Sequence, residues 1–294
     1  MRSPAYLLTS TRKYLLRQGL HCPSCGHRNS HVHDRKWLVT TLRRCGQCAL
    51  LFRAPTTTAA ENARLYQSVY REGFTTDMPD DARLDELVAR DFRASDRDHS
   101  TYLDVLAALG GQPGLRVFDF GCSWGYGSYQ LRRAGYKVDA FEISVPRATF
   151  AREKLGVPIV PPDKAEPGHY DIFFSSHVIE HVPSVESMLT LGMRLLRPGG
   201  IFVAFTPNGG ELRRRTQYAT WHRCWGFVHP QLLDEVYLAK RFAGYRYVIA
   251  TNPYPLVELR RFPHCPSVLD QSGMELMFAV EKAATDHGRS HPGP

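Results

Sequence analysis

The chain has 294 residues, 43% of them hydrophobic and 22% charged, with a formal net charge of +8. That composition excludes a disordered, collagen-like or coiled-coil chain, and no apolar stretch approaches the ~18 residues a membrane span requires. The charge is concentrated: residues 1–53 hold ten Lys/Arg against one acid, Asp34, while the other 241 residues hold 27 basic and 28 acidic side chains. The N-terminal patch Ala5–Leu8 is too short for a signal-peptide core, so the expected location is the cytoplasm.

The basic segment also carries four of the seven cysteines. Cys22-Pro-Ser-Cys25 and Cys45-Gly-Gln-Cys48 are two C-x-x-C pairs separated by nineteen residues. Zinc needs four soft ligands placed tetrahedrally, and each C-x-x-C turn aims two thiolates at one point. Strands are expected over Trp37–Leu42, leading into the second pair, and over Ala49–Phe52, leaving it. The expectation is a zinc ribbon with Cys22, Cys25, Cys45 and Cys48 as ligands and Zn2+ in a structural role. A disulfide pairing is disfavoured without a secretion signal, and His21, His27, His31 and His33 read as loop histidines. The positive charge fits either phosphate binding or the solubility of a module too small to hold itself together without metal.

Pro55–Thr58 reads as a loop and helix cap, followed by helical spacing over 59–74. Helical spacing resumes over 82–109, where Leu84, Leu87, Val88, Phe92, Tyr102, Val105, Leu106 and Leu109 share one side. Gly110-Gly-Gln-Pro-Gly114 ends it.

Residues 116–142 carry the most informative pattern. Arg116-Val-Phe-Asp119-Phe is a buried-strand pattern, and Gly121-Cys-Ser123-Trp-Gly125-Tyr-Gly127 turns it into a helix. A second strand, Lys137–Glu142, ends in an acid. Strand, glycine turn, helix, strand and terminal acid make half of a doubly wound nucleotide site, in which the carboxylate accepts protons from ribose hydroxyls. The dinucleotide pattern G-x-G-x-x-G is absent.

The arrangement resembles the class I S-adenosylmethionine-dependent methyltransferases, whose first motif is D/E-x-G-x-G-x-G. Asp119, Gly121 and Gly125 match it, Ser123 stands at the middle glycine, and Glu142 matches the ribose-binding acid. Tyr170–Ser176 resembles the family's fourth strand, and His177-Val-Ile-Glu180-His181-Val182 the stretch after it. Leu196-Arg-Pro-Gly-Gly200 resembles the turn into strand five. Tyr245–Thr251 and Met274–Val280 suit strands six and seven.

The resemblance implies an α/β fold with a Rossmann-like seven-stranded sheet, order 3-2-1-4-5-7-6, the seventh strand antiparallel. It divides the chain into a basic segment with the ribbon (1–54), a helical cap (55–112), the methyltransferase domain (113–283) and a flexible tail (284–294). It also places Asp119, Gly121, Ser123, Gly125, Glu142, Asp163 and Ser175 around S-adenosyl-L-methionine, with Asp163 towards the adenine.

His177-Val-Ile-Glu180-His181 also fits an inverted zinc-protease motif, but it follows a strand at the ligand-binding edge of the sheet rather than sitting in a helical catalytic domain. In methyl transfer, a positioned base removes a proton from a hydroxyl or carbon acid. His177, ahead of His181, is the candidate base, and Glu180 orients one of them or, with a metal, holds substrate oxygens. The stretch 208–229, rich in arginine, histidine and tryptophan, suits an acceptor pocket, and the proline-rich loop 253–272 can close it. Cys122, Cys224 and Cys265 lack metal-ligand spacing.

The expected activity is methyl transfer to a small molecule, with O-methylation of a sugar, cell-envelope or secondary-metabolite precursor ahead of C- or N-methylation. Two rivals are an RNA methyltransferase gripping nucleic acid through the ribbon and a scaffold that keeps the fold without catalysis.

Overall fold

The computed structural model describes residues 4–58, 60–61, 77–262 and 267–284. The helix expected over 59–74 falls almost wholly outside these residues, as do Cys265 and all but the first residue of the expected tail.

The main sheet is built around strand β4 (Arg116–Phe120), which lies parallel to β5 (Lys137–Phe141) on one side and β6 (Tyr170–Ser176) on the other. β6 runs parallel to β7 (Leu196–Pro207), and β7 pairs antiparallel with β11 (Glu275–Glu281). β11 pairs in turn, antiparallel, with β9 (Tyr247–Thr251), and the short β10 (Ser267–Val268) is added parallel at that edge. The expected order 3-2-1-4-5-7-6 is present. Its third member is reduced to a single bridge between Ile159 and Ala140, held by Ala140 N–H to the Pro158 carbonyl (2.9 Å) and Val160 N–H to Ala140 (2.8 Å). Pro158, Pro161 and Pro162 lack the N–H groups a longer ladder would need.

A mostly parallel sheet must be covered on both faces, so the central residues of its strands are mainly apolar and buried. Successive side chains of β4 enter different cores: Val117 joins Ile172, Phe174, Val203 and Met277, whereas Phe118 joins Phe173, Phe202 and Phe278. Rings on that second face stack in a row across four strands, at 5.8 Å for Phe118–Phe173, 4.6 Å for Phe173–Phe202 and 5.7 Å for Phe202–Phe278. Offset stacking adds to the area such rings bury.

The 82–109 stretch forms two helices, α2 (Asp81–Ala89) and α3 (Ser100–Ala108). Between them Asp91, Phe92 and Ala94 take positive φ, which turns the chain and buries Phe92.

The N-terminal strands β1 (Ser30–Lys36), β2 (Thr40–Cys45) and β3 (Leu51–Ala54) form an antiparallel meander. The strand expected from Trp37 begins at Thr40 instead. Trp37 has φ 57° and, with Leu38 and Val39, makes the hairpin turn, so its ring stays 53% exposed. This sheet is completed from the other end of the chain: β8 (Gln231–Leu232) pairs with β3, Leu51 opposite Leu232 and Phe52 opposite Gln231.

Candidate active site

The glycine loop leaves β4 at Gly121. The N–H groups of Gly121 and Cys122 both donate to the Phe141 carbonyl, at 2.7 and 3.0 Å, which ties the loop to the end of β5. Gly121 and Gly125 have φ near +90°, and a Cβ at Gly125 would lie 2.7 Å from the Ala151 methyl, so neither a side chain nor another backbone shape fits there. Ser123, at the family's middle glycine, also has positive φ (53°). The strain is offset by its contacts: its N–H donates to Glu142 Oε2 (3.0 Å) and its hydroxyl accepts from Arg147 (2.9 Å). Trp124 turns away from the ligand edge into the core, where it meets Phe92, Tyr126 and Phe150 and is fully buried.

Glu142 follows β5 and is 7% exposed. Its Oε1 accepts the Ser144 N–H at 2.8 Å while Oε2 accepts Ser123. Burial pushes its carboxyl up; the Ser144, Ser123 and Ile143 amides and Arg147 pull it back. A carboxylate has about four lone-pair positions, so the bonds from Ser123 and Ser144 leave acceptor capacity for ribose hydroxyls. Asp119 sits beneath the loop and accepts the Ser128 hydroxyl at 2.5 Å. Ser175 is fully buried and donates to the Phe120 carbonyl at 3.0 Å, so its hydroxyl braces the residue just before Gly121. Asp163 lies in the turn beyond Ile159, on the same carboxyl edge as Glu142; its side chain is 75% exposed and its nearest ion-pair partner is Lys164 at 3.9 Å.

Burial raises the Asp119 carboxyl to about 7. The folded chain therefore keeps a proton that the unfolded chain has lost, and stability falls as pH rises from the ordinary value of 3.8 to about 7. Asp119→Asn should remove that contribution: urea denaturation at pH 5 and pH 8 should show a smaller loss of stability in the variant than in the wild type. Equal losses would place the buried proton elsewhere.

The stretch after β6 is a turn, not a helix. His177, with φ 54°, lies between two carboxylates: Nε2 is 2.5 Å from Glu275 and Nδ1 3.3 Å from Glu180. Burial alone would lower its pKa, but the two acids outweigh burial and raise it to about 10. The imidazole is thus engaged through both ring nitrogens, Nε2 towards Glu275 and Nδ1 towards Glu180. His181 is the opposite case, lowered by burial to about 4. Its Nδ1 is 2.8 Å from the Val228 carbonyl, which only accepts, so the proton belongs on Nδ1 and a lone pair on Nε2. Glu180 is completely buried, and its Oε2 accepts the Thr206 hydroxyl at 3.1 Å.

One residue of this edge escaped the sequence reading, and another entered it only as part of the 208–229 stretch. Glu275, the first residue of β11, accepts from Tyr102 (2.9 Å) and Tyr254 (2.5 Å) as well as from His177. The available signal was an acid opening the apolar run Leu276–Val280. His229 stacks edge-on against His181, with ring centroids 4.5 Å apart.

The acceptor-side stretch is clamped to the ribbon. It forms helices α7 (Glu211–Thr216) and α8 (Tyr218–Arg223), and Trp221 and Trp225 are buried with Leu42, Leu51 and Leu232. Asp34 accepts from Tyr218 (2.9 Å) and from the Trp225 indole (2.9 Å), and lies 2.6 Å from His222 Nδ1. Arg44 pairs with the buried Asp234 at 2.6 Å, and buried Arg53 reaches the carbonyls of Gly226 and Phe227. The four cysteines meet beside this seam. Sγ atoms of Cys22 and Cys48, and of Cys25 and Cys45, are 3.5 Å apart, and all four lie within 4.8 Å of one another. Tetrahedral zinc with bonds of 2.3 Å spaces its sulfurs by about 3.8 Å, so the set fits the ion as it stands. The hydrogen bond with Cys22 holds the Cys48 thiol below its ordinary range.

A family model described as a methyltransferase domain matches residues 92–250, more than half of the chain. The chain belongs to the class I S-adenosylmethionine-dependent methyltransferases. The ubiquinone biosynthesis O-methyltransferase of Cereibacter sphaeroides is 33% identical in an alignment of 182 positions that covers 55% of this methyltransferase and 70% of that protein. The enzyme of the same description from Paramagnetospirillum magneticum is 35% identical over 103 residues, 32% of this chain and 41% of its own length. Thus the chain spans less than half of the latter relative. Among solved structures, geranyl diphosphate C-methyltransferase from Streptomyces coelicolor A3(2), in complex with Mg2+, geranyl diphosphate and S-adenosyl-L-homocysteine, aligns with a TM-score of 0.52 and 16% identity. It covers 77% of this chain and 100% of its own, a likeness of fold. Among the described residues, no helix is long and apolar enough to cross a membrane.

Proposed function

We propose that this methyltransferase moves a methyl group from S-adenosylmethionine to a hydroxyl of a small molecule. The observation that carries the reading is the convergence, at one sheet edge, of the glycine loop with Glu142 and the cluster of His177, Glu180, His181 and Glu275. The cofactor supplies an electrophilic methyl on a sulfonium. Asp119, Gly121, Ser123, Gly125, Glu142, Ser175 and Asp163 hold it: the glycines admit it, Glu142 takes the ribose, Ser175 and Asp119 brace the loop, and Asp163 stands towards the adenine. His177 and Glu275 orient the acceptor, with Tyr102 and Tyr254 closing the apolar side. O-transfer is favoured because the matched relatives are named as O-methyltransferases; a sugar or envelope precursor is one hydroxylated class that the reading admits.

Zinc at Cys22, Cys25, Cys45 and Cys48 is structural in this reading, since four thiolates leave no open position for chemistry. A nucleic-acid role for the ribbon is disfavoured. Five of its ten basic side chains turn inward: Lys13 to Glu61, Lys36 to the Trp225 carbonyl, Arg43 to Ser30, Arg44 to Asp234 and Arg53 to Gly226.

Incubation of the pure protein with methyl-labelled S-adenosylmethionine and a panel of phenols, catechols, sugar nucleotides and tRNA tests this directly. Label should pass to a hydroxylated small molecule. Transfer to RNA alone would overturn the acceptor class, and failure to bind S-adenosylhomocysteine in calorimetry would overturn the enzyme.

A further inference from the structure

The buried oxygen Glu180 Oε1 is an anomaly. Its partner Oε2 is satisfied by Thr206, but Oε1 has no hydrogen bond, and Glu180 has no exposed surface. His177 Nδ1, 3.3 Å away, makes a charge contact without hydrogen-bond geometry. A buried acceptor left with a charge contact but no hydrogen bond costs about 1–3 kcal/mol. Facing it are two imidazoles oriented alike. His181 Nδ1 points to the Val228 carbonyl at 2.8 Å and His229 Nδ1 to the Cys224 carbonyl at 2.7 Å. Each carbonyl fixes the proton on Nδ1, so Nε2 of each ring carries a lone pair. One ligand atom from each of Glu180, His181 and His229 falls within 4.8 Å of the others, and His181 Nε2 is 3.9 Å from Glu180 Oε1.

We propose that Glu180, His181 and His229 bind a divalent transition-metal ion at the acceptor end of the site. Two imidazole nitrogens and one carboxylate on one side of an ion leave its other positions open to water or substrate oxygen. The backbone carbonyls behind both rings are the outer partners such ligands use to fix tautomer and orientation. Bonds of about 2.0–2.2 Å require the three atoms to close by roughly 1 Å. The ligand set differs in kind from the ribbon's four thiolates, so the two sites select ions differently: soft sulfur for one, nitrogen and oxygen with open positions for the other.

The use of the ion rests on the methyl-transfer reading; its binding does not. An acceptor hydroxyl coordinated to the ion becomes more acidic and gives its proton to water. The oxygen's electron pair then forms the O–C bond to the methyl, and the C–S bond breaks with its pair left on sulfur. The products are a methyl ether, S-adenosylhomocysteine and one proton.

Mn2+ tests the site, since its free-ion paramagnetic resonance disappears on binding and it competes poorly for thiolates. Zinc-replete wild-type protein should take up one Mn2+ per chain, and Zn2+ should displace it. His229→Ala, and the gentler His229→Asn, should bind at least about tenfold more weakly, whereas His177→Ala, which removes only a competitor for Oε1, should hold its affinity or gain. Wild-type protein that leaves Mn2+ free throughout the titration overturns the site, as does unchanged affinity in both His229 variants. Calorimetry with S-adenosylhomocysteine separates the two readings. Mn2+ uptake without nucleoside binding supports the metal site and overturns the transferase; nucleoside binding without Mn2+ uptake overturns the metal site alone.

Discussion

Replacing Cys45 with serine should abolish methyl transfer while leaving affinity for S-adenosylhomocysteine close to wild type. The asymmetry follows from what the ribbon touches. Zinc in a four-cysteine knuckle contributes on the order of 10 kcal/mol to the folding of so small a module, and a hydroxyl in place of one thiolate forfeits most of it. The loss spreads along β3, which carries β8 at its edge, and through Leu42 and Leu51 into the pocket of Trp221 and Trp225. Val228 and His229 lie between that pocket and β8, and it is the Val228 carbonyl that fixes His181. The cofactor loop is tied instead to β5 of the other sheet and packs on Ala151 of the helix that follows it, Val145–Leu155. A displacement of about 1 Å at reacting groups costs on the order of a hundredfold in rate, so transfer fails before the cofactor is lost. Metal content by mass spectrometry, calorimetry and the labelled-methyl assay should read low, unchanged and null respectively. Full transfer with the zinc gone would make the ribbon a passive appendage; parallel loss of nucleoside binding would make it a support for the entire domain.

The strands of the main sheet were legible because each is local: a short, mainly apolar segment buried on both faces is visible without its neighbours. The ligand edge was partly legible for the same reason. Asp119, Gly121, Gly125 and Glu142 sit at fixed offsets from two such strands, and the structure brings the loop and Glu142 into hydrogen-bonded contact. What was hidden depends on pairing across distance. Gln231–Leu232 is too short to show a period, and it becomes a strand only because β3 presents an open edge. Nothing local to Asp34 indicates that its carboxylate serves Tyr218, His222 and Trp225, nearly two hundred residues on. Glu275, and the particular place of His229 within its stretch, were hidden on the same ground. Each acquires meaning only when another segment delivers a histidine to it. The error at Trp37–Val39 has a different cause: β-branched and aromatic residues favour strands on average, but the hairpin needed a turn there, and a positive φ at Trp37 supplied it.

Glu142→Ala gives the mirror image of the cysteine substitution. Its carboxylate has two tasks, holding Ser123 and Ser144 through their N–H groups and, in the proposed complex, accepting the ribose hydroxyls. Hydrogen bonds to a charged acceptor contribute about 1.5–3 kcal/mol each, so loss of the ribose pair alone should weaken cofactor binding by roughly a hundredfold or more. Loss of the two backbone bonds adds to this by releasing Ser123 from the left-handed conformation that shapes the loop. Glu142→Gln separates the tasks. The amide keeps one acceptor oxygen for a single backbone N–H but turns its NH2 towards the other, so it should recover at most part of the thermal stability while cofactor affinity stays low. In steady state both variants should raise the cofactor KM far more than they lower kcat, because the acceptor edge at Glu180, His181 and Glu275 is built on β6 and β11 rather than on β5. A folded Glu142→Ala protein whose affinity for S-adenosylhomocysteine lies within twofold of wild type would remove the ribose from this carboxylate. The glycine loop would then be a structural turn rather than a cofactor cradle.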